Sequence, residues 1–158
     1  MFRELTRKDK ELSKKECIEL LINEKRGVLS VLGDEGYPYG MPMNHYYSEE
    51  DGKLYFHSGF GGHREDALVK NSKVSYCVFD KGEKPDGEWA YTVKSVVIFG
   101  EMEMCRDREK IEKICTQLSR KFTSDEEYIK EEIELYAHET QLLELNPQHI
   151  CGKKVKEA

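Results

Sequence analysis

Apolar positions recur with helical spacing near the start of the chain. Residues 13–16 (SKKE) form a capping box, in which serine and glutamate side chains satisfy backbone N–H groups at a helix start. Cys17, Leu20 and Leu21 then fall on one stripe of that helix, and Gly27 is predicted to end it. Beyond Gly27 the pattern changes from helical to extended.

Most of the remaining chain is predicted to be extended, because β-branched and aromatic residues lie between Gly, Pro and Asp turns. The predicted strands span 27–32, 37–47, 53–58, 73–80, 89–104 and 140–145, and a short helix spans 63–71. Asp107 is predicted to cap a helix, and a second capping box at 124–127 begins another that runs to about residue 138. Pro147 is expected to end the last strand, so that residues 146–158 form a loosely held C-terminal tail.

The turns between the early strands are four or five residues long, which favours antiparallel pairing. The predicted fold class is therefore mainly β with flanking helices (α+β), in one domain over residues 1–158. Two strands, GVLSVL at 27–32 and SVVIFG at 95–100, are apolar at both alternating sets of positions. Such strands need cover on both faces. A small barrel buries one face, and we expect a second copy of the chain to cover the other.

Charge and cysteine content exclude several classes of protein. With 25 basic and 31 acidic residues, the net charge is −6, which argues against a sequence-independent nucleic-acid binder. No stretch approaches the ~20 apolar residues of a membrane span, and the charged N-terminus has no signal-peptide core. Five cysteines without a CxxC pair favour reduced thiols in a cytoplasmic protein over a disulfide framework or a zinc site. His45 and His57 do not have the spacing of a metal motif.

The segment LYFHSGFGGHREDAL at 54–68 is the best candidate for binding chemistry. It predicts a strand, a glycine-rich loop and a His-Arg pair at a helix start, where free N–H groups favour a phosphate. Arg64 offers a guanidinium, His63 a donor and Ser58 a hydroxyl. Neither a Walker loop nor a dinucleotide fingerprint is present. Glycine-rich turns before helices are also common for purely structural reasons.

Other candidate residues have two interpretations each. His57 is either a half-buried histidine beside a barrel mouth or a group that touches a bound ring. Lys94 and Ser95, on the long fifth strand, either face solvent or contact a phosphate or ring. No Ser-His-Asp or Cys-His arrangement is visible.

The order of five motifs resembles the pyridoxamine 5′-phosphate oxidase-like flavoproteins, and within them the branch of the 5-nitroimidazole resistance proteins. The motifs are GYPYGMPMNHYY, LYFHSGFGGHREDAL, NSKVSYCVF, WAYTVKSVVIFGEMEM and HICGKK. The resemblance covers roughly residues 1–155. It implies an FMN-binding split β-barrel that forms a homodimer, with the flavin in a groove between the subunits.

The resemblance also implies a set of cofactor-binding residues and a role for one histidine. The implied FMN contacts are Met41, Pro42, Met43, Asn44, His57, Ser58, Gly62, His63, Arg64, Lys94 and Ser95. The last two are expected to reach the site from the other subunit. A histidine near the flavin is tied to activity in the nitroimidazole branch, and His57 is the matching residue. Gly62 replaces the oxidase's serine, and the oxidase's C-terminal arginines have no counterpart, so vitamin B6 oxidation is not expected.

These features predict an FMN-dependent reductase that passes electrons from a reduced donor to a small, flat, electron-poor substrate such as a nitroimidazole or nitroaromatic. A flavin would supply the redox chemistry itself, which agrees with the absence of a catalytic triad or metal motif from the sequence. Two alternatives stay open. One is a flavin- or haem-binding carrier or redox sensor without turnover, and the other is a split-barrel dimer without a cofactor.

Overall fold

A seven-stranded antiparallel sheet forms the frame of the protein in the computed structural model, which describes residues 1–157. The helices are α1 (Lys14–Asn23), α2 (His63–Lys70), α3 (Arg108–Ser119) and α4 (Glu126–Tyr136). The strands are β1 (Arg26–Leu32), β2 (Pro38–Asn44), β3 (Tyr46–Tyr47), β4 (Leu54–Ser58), β5 (Lys73–Phe79), β6 (Thr92–Cys105) and β7 (Gln141–Lys156). Their order in the sheet is β2-β1-β5-β6-β7-β4-β3, with every neighbouring pair antiparallel. The predicted fold class is confirmed.

One extended stretch of chain supplies both edges of this sheet. β2 pairs with β1 at one edge, the chain bends at His45, and β3 then pairs with β4 at the other edge. The sheet must therefore curl until its two edges are joined by residues 38–47. This closure produces the split barrel, and it breaks the predicted strand 37–47 into two.

Alternate residues of the strands fill the inside of the barrel. The main buried cluster includes Leu29, Val31, Leu54, Phe56, Tyr76, Val78, Val96, Ile98, Leu143 and Leu145. α1 adds Cys17, Leu20 and Leu21 to the same cluster. α3 packs on the other face of β4 through a second cluster, formed by Tyr55, Ile111, Ile114, Ala137 and Leu142. No helix within residues 1–157 is long and apolar enough to cross a membrane.

The helix starts largely follow the local sequence signals. At α1 the Ser13 hydroxyl accepts from the Glu16 N–H at 3.3 Å and the Glu16 carboxylate accepts from the Ser13 N–H at 2.9 Å, so the predicted capping box is present. Asp107 caps α3 as predicted, by accepting the Lys110 N–H at 2.8 Å. At α4 the cap is Asp125, one residue later than the predicted capping box.

The predicted end of the first helix at Gly27 is wrong. α1 ends at Asn23, and Gly27 lies within β1. A Cβ atom at Gly27 would lie 2.4 Å from the Cys77 carbonyl oxygen and 2.8 Å from the Tyr76 ring. Glycine is required here because two strands and a buried tyrosine approach the backbone closely, and not because a helix ends.

The predicted loosely held tail is also wrong. β7 continues through Pro147 and pairs with β6 from Leu142 to Lys156, with one interruption. Gly100 lies opposite Pro147 and Phe99 lies opposite His149, so one residue of β7 between them has no partner. This is a β-bulge, and it accommodates a proline, which has no N–H to give to the ladder.

Beyond the bulge the second half of β7 is a full strand that ends with Lys156 opposite Thr92, which is also where β6 begins. The sequence of this half looks polar because its lysines point outward, whereas Gly152 is buried. A Cβ atom at Gly152 would lie 2.6 Å from the Cys17 sulfur of α1. Contact with a distant helix, and not local hydrophobicity, therefore secures this end of the chain.

His45 is fully buried at the bend between β2 and β3. Its Nε2 donates to the Leu21 carbonyl at the end of α1, at 2.7 Å, and its Nδ1 lies 2.8 Å from the Tyr76 hydroxyl of β5. Burial, with a contribution from the Lys121 charge, lowers the pKa of His45 to about 4. The ring is therefore neutral at pH 7, and Nδ1 is an acceptor for the Tyr76 O–H, which also lies 2.9 Å from the Met43 carbonyl oxygen.

Lys121, just after α3, holds the same bend from outside. Its Nζ donates to the carbonyls of Glu24 at 2.6 Å and His45 at 2.9 Å. Desolvation of the ammonium lowers the pKa of Lys121 to about 8. The bend thus joins α1, β5 and the end of α3 through one buried side chain, His45, and one half-buried side chain, Lys121.

We expect the free energy of unfolding to fall as the pH decreases from 7 to 5, because of His45. The unfolded imidazole binds a proton near pH 6.5, whereas the folded pKa is about 4. The unfolded state therefore takes up the proton first, and the stability present above pH 6.5 is lost toward pH 4, with on the order of 2 kcal/mol lost by pH 5. Urea unfolding at both pH values should show a smaller loss for His45→Gln than for the native chain. His57 adds to the pH dependence of the unfolding free energy in both proteins. The control is His138→Gln, which changes an exposed histidine. If His45→Gln lost as much stability between pH 7 and pH 5 as the native chain, His45 would not be the cause.

Candidate functional site

The loop between β4 and α2 (59–62) is open to solvent, and its one side chain, that of Phe60, is exposed. Gly61 and Gly62 have φ angles of 75° and 88°, in the left-handed region that favours glycine. No atom lies within 4 Å of a Cβ placed at either residue. α2 begins directly afterwards at His63, and the first N–H groups of a helix have no intrahelical acceptor. The loop therefore offers backbone donors and space for an anion.

Arg64 joins this loop to the barrel. Its guanidinium donates to the Ser58 hydroxyl at the end of β4 and lies 3.3 Å from the Met43 sulfur of β2. The Ser58 hydroxyl in turn donates to the Gly59 carbonyl at 2.7 Å. Three of the predicted site residues, from β2, β4 and α2, thus meet where the two edges of the sheet approach. Because both contacts of the guanidinium are neutral groups, they leave its positive charge for an anionic ligand.

Gln141 and Glu65 hold the loop from the protein side. Gln141 is fully buried at the start of β7, and its Nε2 donates to the Gly59 carbonyl at 3.2 Å and to Glu65 Oε2 at 2.6 Å. The same Glu65 oxygen accepts the Gly61 N–H at 2.7 Å. The Gly61 and Gln141 hydrogen bonds lower the pKa of Glu65, so its carboxylate is ionised.

The Oε1 atom of Gln141 is buried and has no hydrogen-bond partner among the described residues. If the Gln141 amide were rotated by 180°, its oxygen would face two other acceptors, the Gly59 carbonyl and the Glu65 carboxylate. The side chain is therefore oriented with Nε2 toward them. A buried acceptor without a donor is rare in proteins. It is available to a hydroxyl or water beside the loop.

The His63 side chain lies apart from Arg64. Its ring stacks on Tyr39 with centroids 4.3 Å apart, and its Nε2 accepts the Asp34 N–H at 3.2 Å. The Asp34 carboxylate lies 3.6 Å from the same Nε2. The imidazole thus packs on the turn between β1 and β2, while the His63 backbone N–H remains at the helix start beside Gly62.

His57 and Asn44 share the wall of a cavity of about 350 Å³ between β4 and the α3–α4 pair. His57 is exposed on one side, yet protein atoms around the ring, and secondarily the Arg64 charge, lower its pKa. Its ring is therefore neutral at pH 7 and has one donor and one acceptor. Of the other predicted contacts on β2, Met41 packs against the core and Pro42 is exposed.

Lys94 and Ser95 lie far from these residues within one chain. They pair with Lys154 and Lys153 near the start of β6, whereas His57 is in register, through Leu142, with Cys105 at the end of β6. Ten residues of strand span roughly 33 Å at ~3.3 Å per residue. The predicted participation of Lys94 and Ser95 therefore requires a second copy of the chain and stays a prediction.

Comparison with known proteins identifies the family. A family model described as pyridoxamine 5′-phosphate oxidase matches residues 13–154. The chain belongs to this family. A search of the curated proteins gives no match. The resemblance found in the five sequence motifs is thus confirmed at the level of the family.

Solved structures agree on the fold. A candidate 5-nitroimidazole antibiotic resistance protein from Bacteroides thetaiotaomicron has a TM-score of 0.75 at 19% identity, over 92% of this chain and 87% of that chain. An FAD-binding protein from Mesorhizobium loti has a TM-score of 0.65 at 22% identity, over 92% and 96%. An FAD and haem binding protein from Mycobacterium smegmatis has a TM-score of 0.72 at 18% identity, over 94% and 74%.

Sequence reasoning missed Gln141 and Glu65 in this family member. Glu65 looked like an ordinary acidic residue in the first turn of a helix. Gln141 did carry a signal, because it is an uncharged polar residue within the otherwise apolar segment TQLLEL. Its partners lie 76 and 82 positions earlier in the chain, so only the pairing of β7 with β4 reveals them.

We expect Gln141→Leu to loosen the glycine loop while the barrel stays folded. The change removes two hydrogen bonds but also the unpaired Oε1, so the net cost in global stability should be modest, about 1 kcal/mol. Local opening at Gly61 should become easier, since Glu65 loses the group that positions it. Hydrogen exchange of the Gly61 amide, measured by NMR, should accelerate about tenfold, whereas the exposed control Gln148→Leu should not change it. Unchanged exchange in Gln141→Leu would rule out the positioning role.

Proposed function

We propose that the protein binds FMN with its phosphate at residues 59–64 and acts as a flavin-dependent reductase of small, electron-poor substrates such as nitroimidazoles or nitroaromatics. The observation that carries the proposal is the arrangement of Arg64 and Ser58 at the open glycine loop, next to the cavity that contains His57. Family membership and the FAD-binding neighbours support a flavin as the cofactor.

The donor set fits one phosphate monoester. The loop is short and the chain has no dinucleotide fingerprint. Two guanidinium groups lie at the loop: Arg64 donates to Ser58, and Arg106 lies over the Phe60 ring and contacts Glu65. FMN presents one terminal phosphate, whereas FAD presents a diphosphate that joins two nucleotide halves. These features favour FMN over FAD.

The residues of the chain would bind and orient while the cofactor supplies the electrons. When bound, a flavin would supply the electron transfer between a reduced donor and a substrate. Arg64 and the loop N–H groups would hold the phosphate. His57, neutral at pH 7, would donate a hydrogen bond to a polar atom of the substrate or supply a proton to it. The apolar wall of the cavity would exclude water from that contact.

A second candidate function is a flavin or haem carrier without turnover. The similarity to the FAD and haem binding protein from Mycobacterium smegmatis supports this second function. It differs from the reductase in one measurable way, since it binds the cofactor but reduces no acceptor. The absorption spectrum of freshly purified protein separates flavin from haem, and a colourless protein would support the cofactor-free dimer.

We also propose that the protein is a homodimer. The outer face of the sheet carries an apolar row in register across four strands, formed by Val28, Cys77, Val97 and Cys151. All four are at least partly exposed, and Phe79 nearby is 58% exposed. Burial of this row against a second copy would remove apolar surface from water. It would also allow Lys94 and Ser95 to approach the partner's flavin.

Arg64→Ala should weaken FMN binding by roughly tenfold to a hundredfold. The loss reflects a charge-assisted hydrogen bond between guanidinium and phosphate, on the order of 1.5–3 kcal/mol. Titration of apoprotein followed by flavin fluorescence measures the affinity, with FAD titrated in parallel. Lys70→Ala, which removes a positive charge from the other end of α2, is the matched control. Equal FMN affinity in Arg64→Ala and the native protein would place the phosphate elsewhere.

Sedimentation at micromolar concentration should show a stable dimer. Introducing a charge into the apolar row, as in Val97→Glu, should give a monomer, because an unpaired carboxylate resists burial. Val69→Glu, at an exposed apolar residue of α2, is the control and should remain dimeric. A native protein that sediments as a folded monomer would refute the dimer and with it the contribution of Lys94 and Ser95.

His57→Ala should keep the fold and the bound flavin but lose most of the reduction of a nitroaromatic acceptor. A positioned acid or hydrogen-bond donor is typically worth ~10²–10⁴-fold in rate, whereas truncation of an exposed strand histidine costs about 1 kcal/mol or less in stability. Turnover per bound flavin and urea unfolding should be measured on the same variant, with exposed His138→Ala as control. Unchanged turnover together with lower stability would assign His57 a purely structural role.

A further inference from the structure

The cavity beside His57 is walled by regular faces of two helices. Cys115, Leu118 and Ser119 have the spacing of one face of α3. Glu132 and Tyr136 lie one turn apart on α4, so their side chains are neighbours. The volume of about 350 Å³ lies at the lower end of the range for small-molecule sites. It suits a ligand of one or two rings.

The described residues that line the cavity carry one negative charge and no positive charge. Among the described residues that line it, Glu132 is the one carboxylate, and neither a lysine nor an arginine is present. Nearby cations are engaged elsewhere. Arg120 forms two 2.8 Å contacts with Glu126, and Lys121 donates to backbone carbonyls. His57 on the opposite wall is neutral at pH 7.

The rim and floor of the cavity suit a flat aromatic ring. Tyr136 is 54% exposed, so its ring is accessible to a ligand. Phe122 is 43% exposed, but the Lys25 Nζ already lies over its ring, 5.3 Å from the centroid. Aromatic faces attract organic cations. Leu118, Ile133 and Ala137 supply apolar surface for the body of a ring. The carboxylate of Glu132 would disfavour an anionic substrate at the same place.

We propose that this cavity binds planar nitrogen-heteroaromatic cations and that Glu132 determines this specificity by supplying the counter-charge. The proposal rests on the proposed function, since it names the substrate class for the same site. Cationic heteroaromatic rings are electron-poor, which agrees with a role as electron acceptors. Binding in the cavity itself depends only on residues of this chain.

The test is a pair of ligands titrated into isotope-labelled holoprotein and followed by NMR. The 1-methylnicotinamide cation and neutral nicotinamide share a ring and differ in charge. We expect the cation to bind more tightly than nicotinamide and to shift amide signals of β4, α3 and α4. Glu132→Gln should weaken the cation about tenfold, as expected for loss of one charge-assisted contact, and leave nicotinamide unchanged. Glu131→Gln, on the exposed side of the same helix, is the matched control.

Three results would overturn the proposal: equal cation affinity in the native protein and Glu132→Gln, tighter binding of nicotinamide than of the cation, or signal shifts confined to another surface. Flavin affinity, measured separately on the same samples, distinguishes this failure from that of the proposed function. If the protein bound the cation through Glu132 but had no affinity for flavin, the cation site would be supported and the proposed flavin-dependent function would be refuted. If the protein bound flavin but not the cation, flavin binding would be supported and the cation site would be refuted.

Discussion

A buried imidazole at the bend between β2 and β3 is the interaction on which the site depends. His45 links the chain bend to the end of α1 and to β5, and Lys121 fixes the same bend from the end of α3. Because this bend sends one strand to each edge of the sheet, it determines how the barrel closes. The closure brings Met43 to Arg64 and Asn44 to the cavity that contains His57. A bend held less firmly would leave the two edges free to separate.

Opposite charges occupy the two sides of the site. The glycine loop offers backbone N–H groups and the Arg64 guanidinium, and the nearby Glu65 carboxylate is engaged with Gly61 and Gln141. The helix-walled cavity offers Glu132 and apolar surface. His57 lies between them, and burial together with the Arg64 charge keeps its ring neutral. Such a division suits an anionic group held on one side of a ring and a cationic substrate on the other.

Two buried groups near the barrel closure have unmet or shared hydrogen bonds. The Gln141 Oε1 atom has no partner, and the Tyr76 hydroxyl has one proton for two acceptors, His45 and the Met43 carbonyl. Such groups cost stability wherever packing alone is at stake.

Local sequence determined the helix caps, the approximate strands and the candidate loop, because capping boxes, glycine turns and β-branched runs act over a few residues. The family motifs extended this to the barrel and to Ser58, Arg64 and His57. The pairing of the tail, the end of α1 and the contacts of His45 and Gln141 were decided by tertiary structure. Each depends on a partner far away in the chain: Gly152 on Cys17, Gly27 on Tyr76, His45 on Leu21, and Gln141 on Gly59. A polar half-strand such as 149–156 has no hydrophobic period of its own, since its place is set by the ladder of β6 and by a bulge that accommodates a proline.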